Sequence, residues 1–175
     1  MRVIEHLSGS SMNAYDSSIH DFYTRYVLWE EPSYPPRVRE AREFGKQYEL
    51  NLGEWTYAGW DTQKECEMII GGYKMYGLFD FYNKEKQTVV ECKTKSWWWS
   101  KKQIRESWQF RFYNHWCWEN GFNFILHEYN KKLEKCDELD VKWLDKTFEQ
   151  DFLERAGQIE RFLKWFNVIL LRHDL

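Results

Sequence analysis

The fold is decided by residues 77–94, which read GLFDFYNKEKQTVVECKT. Apolar, aromatic-rich runs lie on both sides of the polar letters NKEKQ, a pattern that predicts a β-hairpin with a short loop. A four-residue loop places Asp80 directly across from Glu91, with their Cβ atoms about 5 Å apart. Since side chains alternate along a strand, Lys93 lies on the same face as Glu91. The hairpin therefore predicts two carboxylates and one ammonium group on a single patch.

Two carboxylates that face each other on a sheet repel, so this pair calls for a cation. Mg²⁺ takes oxygen ligands, commonly one or two carboxylates completed by water and substrate phosphate. We therefore expect Asp80, Glu91 and the backbone carbonyl of Cys92 to form a site for Mg²⁺ or Mn²⁺, where Lys93 could orient or help deprotonate a bound water. The alternative is that Glu91 and Lys93 belong to the solvated face of a half-exposed strand.

Three adjacent tryptophans follow the hairpin at residues 97–99, with basic residues on both sides. Neighbouring side chains point in different directions, so at least one of the three rings is expected to be exposed or to contact a partner. Aromatic rings beside lysines suit a surface for single strands or strand ends, because rings stack on bases while lysines hold the backbone. A lid or an oligomer interface is the alternative. The candidate substrate-binding residues in this segment are Lys95, Trp97, Trp98, Lys101 and Lys102.

A helix is predicted over residues 102–119, where apolar residues recur at four-residue intervals. The adjacent stripe carries Arg105, Gln109 and Tyr113, so the helix can present a guanidinium, an amide and a phenol toward the hairpin. The same stripe could equally be a boundary between core and solvent.

The order of these residues resembles a known nuclease superfamily. The letters GLFD (77–80), VVECKT (89–94) and QFRFY (109–113) are similar to the G-x-x-D, (D/E)-x-K-T and Q-x-x-x-Y motifs of the PD-(D/E)XK nucleases. The last motif points to the RecB-like and lambda-exonuclease-like branch. The resemblance implies an α/β fold with a restriction-endonuclease-like core, in which helices flank a central mixed β-sheet. It also implies metal-dependent hydrolysis of DNA and favours exonuclease over endonuclease action. In the family, the residues that correspond to Gln109 and Tyr113 bind DNA and order the site.

Two helices are predicted before the hairpin, over residues 12–29 and 37–52. The second contains the letters GKQYE, which resemble the family's G-x-x-x-(H/E) motif, so Glu49 is a candidate further acid of the metal site. A solvated helix glutamate is the alternative. The first helix carries Ser18 and Ile19 where some members have a Cys-Pro pair that helps hold an iron–sulfur cluster. No such cluster is therefore expected here.

The remaining segments complete the α/β pattern. Residues 53–66 are expected to form a turn-rich lead into the hairpin. After the helix, the sequence predicts a strand over 122–129, a charged connection over 131–140, and a long C-terminal helix over 141–172 that includes Leu144.

The composition, 43% hydrophobic and 30% charged over 175 residues, indicates one soluble domain spanning residues 1–175. Four cysteines without C-x-x-C spacing indicate neither a zinc site nor a disulfide framework. No signal-peptide run or membrane-length apolar segment is present in the sequence, so we expect a cytoplasmic location in a bacterial or phage-infected cell and no membrane partner.

The charge is distributed unevenly along the chain. The formal net charge is −3, yet residues 84–113 hold eight Lys or Arg against three Glu. Such local polarity fits phosphate binding near the predicted site, although lysines on any solvated loop would look similar. The expected partner is DNA, as single strands or duplex ends, with a homo-oligomer or a recombination protein as further expectations. A catalytically inactive nucleic-acid-binding or assembly subunit of the same fold is the alternative function.

Overall fold

A six-stranded mixed β-sheet forms the centre of the structure, a computed structural model that describes residues 2–31, 33–143 and 145–173. Helices flank this sheet, which confirms the predicted α/β class with a central mixed sheet. In chain order the elements are β1 (Arg2–Ile4), β2 (Leu7–Ser8), α1 (Gly9–Ser17), α2 (Ile19–Phe22), a π-helical turn (Tyr23–Val27), α3 (Pro36–Trp55), β3 (Asp61–Ile70), β4 (Tyr73–Asn83), β5 (Thr88–Lys95), α4 (Lys101–Glu106), α5 (Trp108–Asn120), β6 (Asn123–Asn130), β7 (Lys135–Asp140), α6 (Phe148–Trp165) and β8 (Val168–Leu170).

The predicted hairpin forms between β4 and β5 with the predicted register. Asn83 pairs with Thr88 and Tyr82 with Val89, so the four-residue loop is confirmed. The ladder ends one pair later, before it reaches Asp80. The expectation that Asp80 stands directly across from Glu91 in the ladder is therefore wrong, because the strands stop pairing at that point.

The second edge of β4 is shared by two strands that leave an opening between them. β3 pairs antiparallel along one edge of β4. On the other edge, β2 pairs parallel with β4 at Met75 and Tyr76. β5 joins β4 at residues 81–83. Residues 77–80 lie between these two ladders, and no strand of the described chain pairs with them on that side. The opening is where the candidate site is built.

The direction of side chains along β4 also changes at this opening. Phe79 belongs to the main apolar cluster with α5, where its ring centroid is 4.8 Å from that of Tyr113. Phe81 belongs to a second cluster under α3, where its ring centroid is 4.7 Å from that of Tyr57. Residues two apart in a regular strand share one face, yet Phe79 and Phe81 pack into different clusters. The alternation of side chains along β4 is therefore interrupted at Asp80, the residue between them in the sequence.

Several predicted boundaries are wrong, each because a local turn or tertiary pairing was not visible in the pattern. The segment before the hairpin contains two strands, β3 and β4, joined by Gly71 and Gly72 with φ values of 56° and 82°. The expected turn-rich lead over 53–66 holds the end of α3 and the first six residues of β3. The expected connection over 131–140 ends in β7, which pairs with β6.

The helix predicted over 37–52 is confirmed as α3, which is longer than predicted, whereas the other three predicted helices are shorter or divided. Ser107 has an extended backbone (φ −73°, ψ 119°) and separates α4 from α5. Ser18 likewise separates α1 from α2. The C-terminal helix spans only α6, and β8 follows it to pair with β1; Leu144, expected in that helix, lies outside the described residues. Within the described ranges, no helix is long and apolar enough to cross a membrane.

Candidate active site

Helix α5 closes the opening in β4 through the hydroxyl of Tyr113. This hydroxyl donates to the Leu78 carbonyl at 2.6 Å and accepts from the Leu78 N–H at 3.3 Å. The phenol thus stands in for the missing strand partner. Gly77 permits the approach, because a Cβ at that position would lie 2.6 Å from Cε1 of Tyr113. Tyr113 is buried and acts on the strand edge, which is a different contact from the DNA contact that the family resemblance implied.

Substitution Tyr113→Phe should lower the free energy of unfolding by about 1–3 kcal/mol, because it removes the hydrogen bonds to two partly buried backbone groups of Leu78. Urea denaturation measures the change. Tyr129→Phe is the matched control, since the described residues offer no hydrogen bond to that hydroxyl, and its midpoint should not move. Equal stability of the two variants would contradict the bridging role of Tyr113.

The acids and the lysine predicted from the hairpin meet at this opening. Asp80 Oδ2 accepts the N–H of Cys92 at 2.7 Å, so the aspartate reaches across the separated strands. Glu91 is 1% exposed, and its Oε1 accepts from Lys93 Nζ and, at 2.9 Å, from Gln109 Nε2. The structure therefore brings Asp80, Glu91, Lys93 and Gln109 together. At this point β4 and β5 are joined by the hydrogen bond from the Cys92 backbone to the Asp80 side chain, and not by backbone pairing.

The electrostatics of this cluster are dominated by burial. Burial first, and the neighbouring Asp80 second, raise the pKa of Glu91 to about 8. Burial also opposes the charge of Lys93, but Glu91 and Asp80 outweigh it and leave the pKa of the Lys93 ammonium above its ordinary value. Lys93 is thus protonated near neutral pH and acts as a hydrogen-bond donor. The raised pKa of Glu91 indicates that this one ammonium does not fully offset burial and the repulsion from Asp80.

One atom tests whether a divalent cation fits. Glu91 Oε2 is buried and has no hydrogen-bond partner among the described residues, whereas nearly all buried polar atoms have one. The N–H and C=O of a strand residue point to the same edge, so the Cys92 carbonyl faces Asp80 as its N–H does. These hard oxygen donors suit Mg²⁺ or Mn²⁺. The described chain holds no ready-made group of three His, Cys, Asp or Glu ligands, so water and phosphate would complete the coordination.

Helix α3 brings Glu49 to the same cluster. Gly45, one turn earlier, faces β5, where a Cβ would lie 3.2 Å from Thr94 Oγ1. Glu49 is half-buried, and burial followed by the charge of Asp80 raises the pKa of its carboxyl group. Glu49, the third acid predicted from the sequence, therefore lies close enough to Asp80 for the two carboxylates to interact electrostatically.

Gln63 is a site residue that the sequence reasoning missed. Its Nε2 donates to Glu49 Oε1 at 2.7 Å and to Asp80 Oδ1 at 3.3 Å, so one amide group joins the two acids. The register of β3 on β4 places Gln63 opposite Asp80, and its φ of 50° is unusual for a residue other than glycine. The Gly71-Gly72 turn was the signal that could have found it, because that turn fixes the register.

Arg105 does not join the site. It lies on α4, over the Trp143 ring at 5.9 Å, and lines a separate cavity of about 770 Å³. The predicted stripe of Arg105 with Gln109 is wrong, because the extended backbone at Ser107 ends one helix and starts the next.

The tryptophan segment lies outside the cleft that holds the acids. Trp97 is 60% exposed, which confirms that one ring of the run is not in the core, while Trp98 and Trp99 are partly buried. Lys95 Nζ lies 3.3 Å from the Trp99 ring centroid. The exposed pair Lys101 and Lys102 lies beyond it at the start of α4.

The basic balance of this region is smaller than the sequence suggests. Arg111 is held by Asp145 and Asp151, each at 2.6 Å, and this pairing joins α5 to the start of α6. The positive charge of Arg111 is therefore paired with these two aspartates and is not available to DNA. Lys93 and Lys102 also have salt-bridge partners, so Lys84, Lys86, Lys95 and Lys101 are the lysines of this segment without a salt bridge among the described residues.

No family model and no curated protein sequence matches this chain. Its fold is similar to the crystal structure of a protein designated SSO0001, with a TM-score of 0.57 and 17% identity over 88% of this chain and 76% of that one. It is also similar to the crystal structure of a candidate exonuclease from Eubacterium rectale, with a TM-score of 0.59 and 11% identity over 91% of this chain and 80% of that one. These likenesses establish a shared fold: a central mixed sheet flanked by helices.

Proposed function

We propose that this chain is a Mg²⁺- or Mn²⁺-dependent deoxyribonuclease that hydrolyses phosphodiester bonds, acting from DNA ends. The observation that carries the proposal is the buried, unpartnered Glu91 Oε2 in a cluster with Asp80 and the Lys93 ammonium. A structural cluster of charges would be expected to satisfy its own buried oxygen. The fold shared with a candidate exonuclease supports the same class of activity, at the level of analogy.

Four groups of this chain would hold the metal: the carboxylates of Asp80, Glu91 and Glu49, and the Cys92 carbonyl. When bound, the ion would polarise the scissile phosphate and lower the pKa of the attacking water. The Lys93 ammonium donates hydrogen bonds that orient this water and oppose the negative charge that develops on the phosphate.

Second-layer contacts keep these groups in place. Gln109 donates to Glu91 Oε1, which leaves Oε2 free for a ligand. Tyr113 fixes β4 through Leu78, and Gln63 bridges Glu49 and Asp80. Preorganised geometry of this kind lowers the cost of assembling the site during reaction.

We assign the approach of the DNA strand to the end of β5 and the segment that follows it, residues 95–102. Trp97 and Trp98 would stack on bases, and Lys95, Lys101 and Lys102 would contact the phosphate backbone. The same exposed surface favours a second candidate, a non-catalytic nucleic-acid-binding or assembly subunit, which could include a homo-oligomer or a recombination-protein partner.

Mn²⁺ titration of the wild type and of Asp80→Asn tests the proposal. The wild type should bind Mn²⁺ and cleave end-labelled DNA, and EDTA should stop cleavage. Asp80→Asn should bind the ion weakly and cleave at least about 100-fold more slowly, since one metal-site carboxylate is lost. Asp61→Asn, an exposed acid on the same pair of strands, is the control and should retain both properties.

Three outcomes separate the candidate functions. Cleavage that persists in EDTA contradicts the metal-dependent mechanism. DNA binding without Mn²⁺ binding or cleavage favours the non-catalytic subunit. Cleavage of closed circular DNA favours a restriction-type endonuclease over an exonuclease, because a closed circle offers no end.

A further inference from the structure

A second cavity of about 320 Å³ lies beside the catalytic cleft. His6, Ser8 and Tyr26 line both spaces, and the cleft is the one that also holds Asp80 and Glu91. The cavity is therefore a side chamber of the proposed active site. None of the residues placed in the metal site lines it.

The walls of the chamber are apolar and aromatic. Phe22 and Leu7 line it and are fully buried, and the Tyr26 ring is stacked on Phe22 with centroids 5.8 Å apart. Trp29 stands at the rim and is 72% exposed. Its backbone has a φ of 59°, a conformation that bulky residues rarely adopt and that is found disproportionately at ligand-binding positions. An exposed tryptophan among the residues that line an aromatic chamber is a surface on which a flat ring can stack.

Four polar residues, Glu5, His6, Ser8 and Ser11, also line the chamber. Burial, and then the charge of Lys74, lower the pKa of His6, so its imidazole is neutral at pH 7 and offers one donor and one acceptor. Arg25 lies outside, with its guanidinium carbon 5.4 Å from the Tyr26 ring centroid. Mostly aromatic walls with a few polar groups are the usual composition of a site for a flat heterocycle.

We infer that this chamber binds one unpaired nucleobase at the end of a DNA strand whose phosphate lies in the catalytic cleft. The inference rests on the proposed nuclease function and specifies its substrate: a single-stranded or frayed end. The volume of about 320 Å³ is at the lower limit of small-molecule pockets, about 300–1,000 Å³, and is sufficient for one base. Arg25 is placed to meet the backbone of an adjacent nucleotide.

Fluorescence of 2-aminopurine tests this inference without any cleavage. The probe is a single-stranded oligonucleotide with 2-aminopurine as its terminal base, made once for the 5′ end and once for the 3′ end, and mixed with protein in EDTA. Stacking in the chamber should quench one of the two probes. Trp29→Ala should remove the quenching and weaken binding about tenfold, since a base–aromatic stack contributes about 1–3 kcal/mol.

The controls separate stacking from general damage. Trp29→Phe keeps a ring and should restore most of the quenching. Trp165→Ala removes a tryptophan that is 88% exposed on α6 and should behave as the wild type. An oligonucleotide with an abasic terminal nucleotide should bind the wild type as weakly as Trp29→Ala binds the normal strand.

The outcomes distinguish this inference from the nuclease proposal. If the wild type cleaves DNA with Mn²⁺, yet neither the abasic end nor Trp29→Ala alters binding or fluorescence, the chamber inference is overturned and the nuclease proposal stands. Equally tight binding of blunt duplex ends also overturns it. If no DNA is cleaved but the Trp29-dependent quenching is present, the nuclease proposal falls and the base site remains.

Discussion

Replacement of Lys93 by alanine should abolish metal-dependent DNA cleavage and leave the chain folded. Lys93 is the ammonium group on the proposed reacting patch, and loss of one donor to a developing negative charge reduces turnover by about 100- to 1,000-fold. Glu91 Oε1 keeps its hydrogen bond from Gln109 in this variant, so the buried carboxylate is not left without any partner. Cleavage of end-labelled DNA in Mn²⁺ measures the first effect, and circular dichroism with urea denaturation measures the second.

Lys84→Ala is the matched control for this experiment. Lys84 is an exposed residue of the hairpin loop, so its loss removes one positive charge from residues 84–113 without touching the cluster. The control should cleave DNA at the wild-type rate. Undiminished cleavage by Lys93→Ala would overturn the proposed mechanism, whereas equal losses in both variants would point to a general effect of charge on DNA binding.

Substitution Gly9→Ala should destabilise the protein by about 3 kcal/mol or more. A Cβ at Gly9 would lie 2.3 Å from Cα and 2.6 Å from the backbone nitrogen of Gln109. Overpacking of a core typically costs about 1–3 kcal/mol, and here the obstructing atoms are backbone, which cannot rotate away. Because Gln109 holds Glu91, the variant that does fold should also cleave more slowly.

Gly157→Ala provides a control of opposite sign. Gly157 lies inside α6, where the nearest atom to a new Cβ is the end of the Arg161 side chain at 3.6 Å. Alanine in a helix interior is favoured over glycine by about 0.5–1 kcal/mol, so this variant should be more stable than the wild type. Urea denaturation of both variants checks the pair. A Gly9→Ala protein as stable as the wild type would contradict the contact between α1 and α5.

The local part of the site could be predicted from the sequence because turns and alternation act over short distances. The loop after Asn83 determines the register of β4 on β5, and this register brings Asp80 near Glu91 and Lys93. Helical spacing likewise places Gln109 and Tyr113 on one side of α5. These relations need no knowledge of the remaining chain.

The nonlocal part was not predictable in the same way. Separation of β4 from β5 beyond Phe81 depends on β2 and α5, which occupy the other part of that edge. The approach of Gln63 to Asp80 depends on the pairing of β3, whose first part lies in the segment 53–66 that the sequence predicts to be rich in turns. The exclusion of Arg105 follows from one extended residue, and nothing in the spacing of the apolar residues indicates such a break.

The opening in β4 also has a consequence for the order in which the site can form. The hydrogen bond of Leu78 needs Tyr113, which lies 35 positions later in the chain. The contact of Gly9 needs Gln109, which lies much further along the chain. Contacts between distant residues form slowly, since a long loop must close before they stabilise anything. During synthesis, the acids of the hairpin emerge well before the helix that organises them. A chain that ends before residue 113 would carry Asp80, Glu91 and Lys93 without the framework proposed to make them reactive.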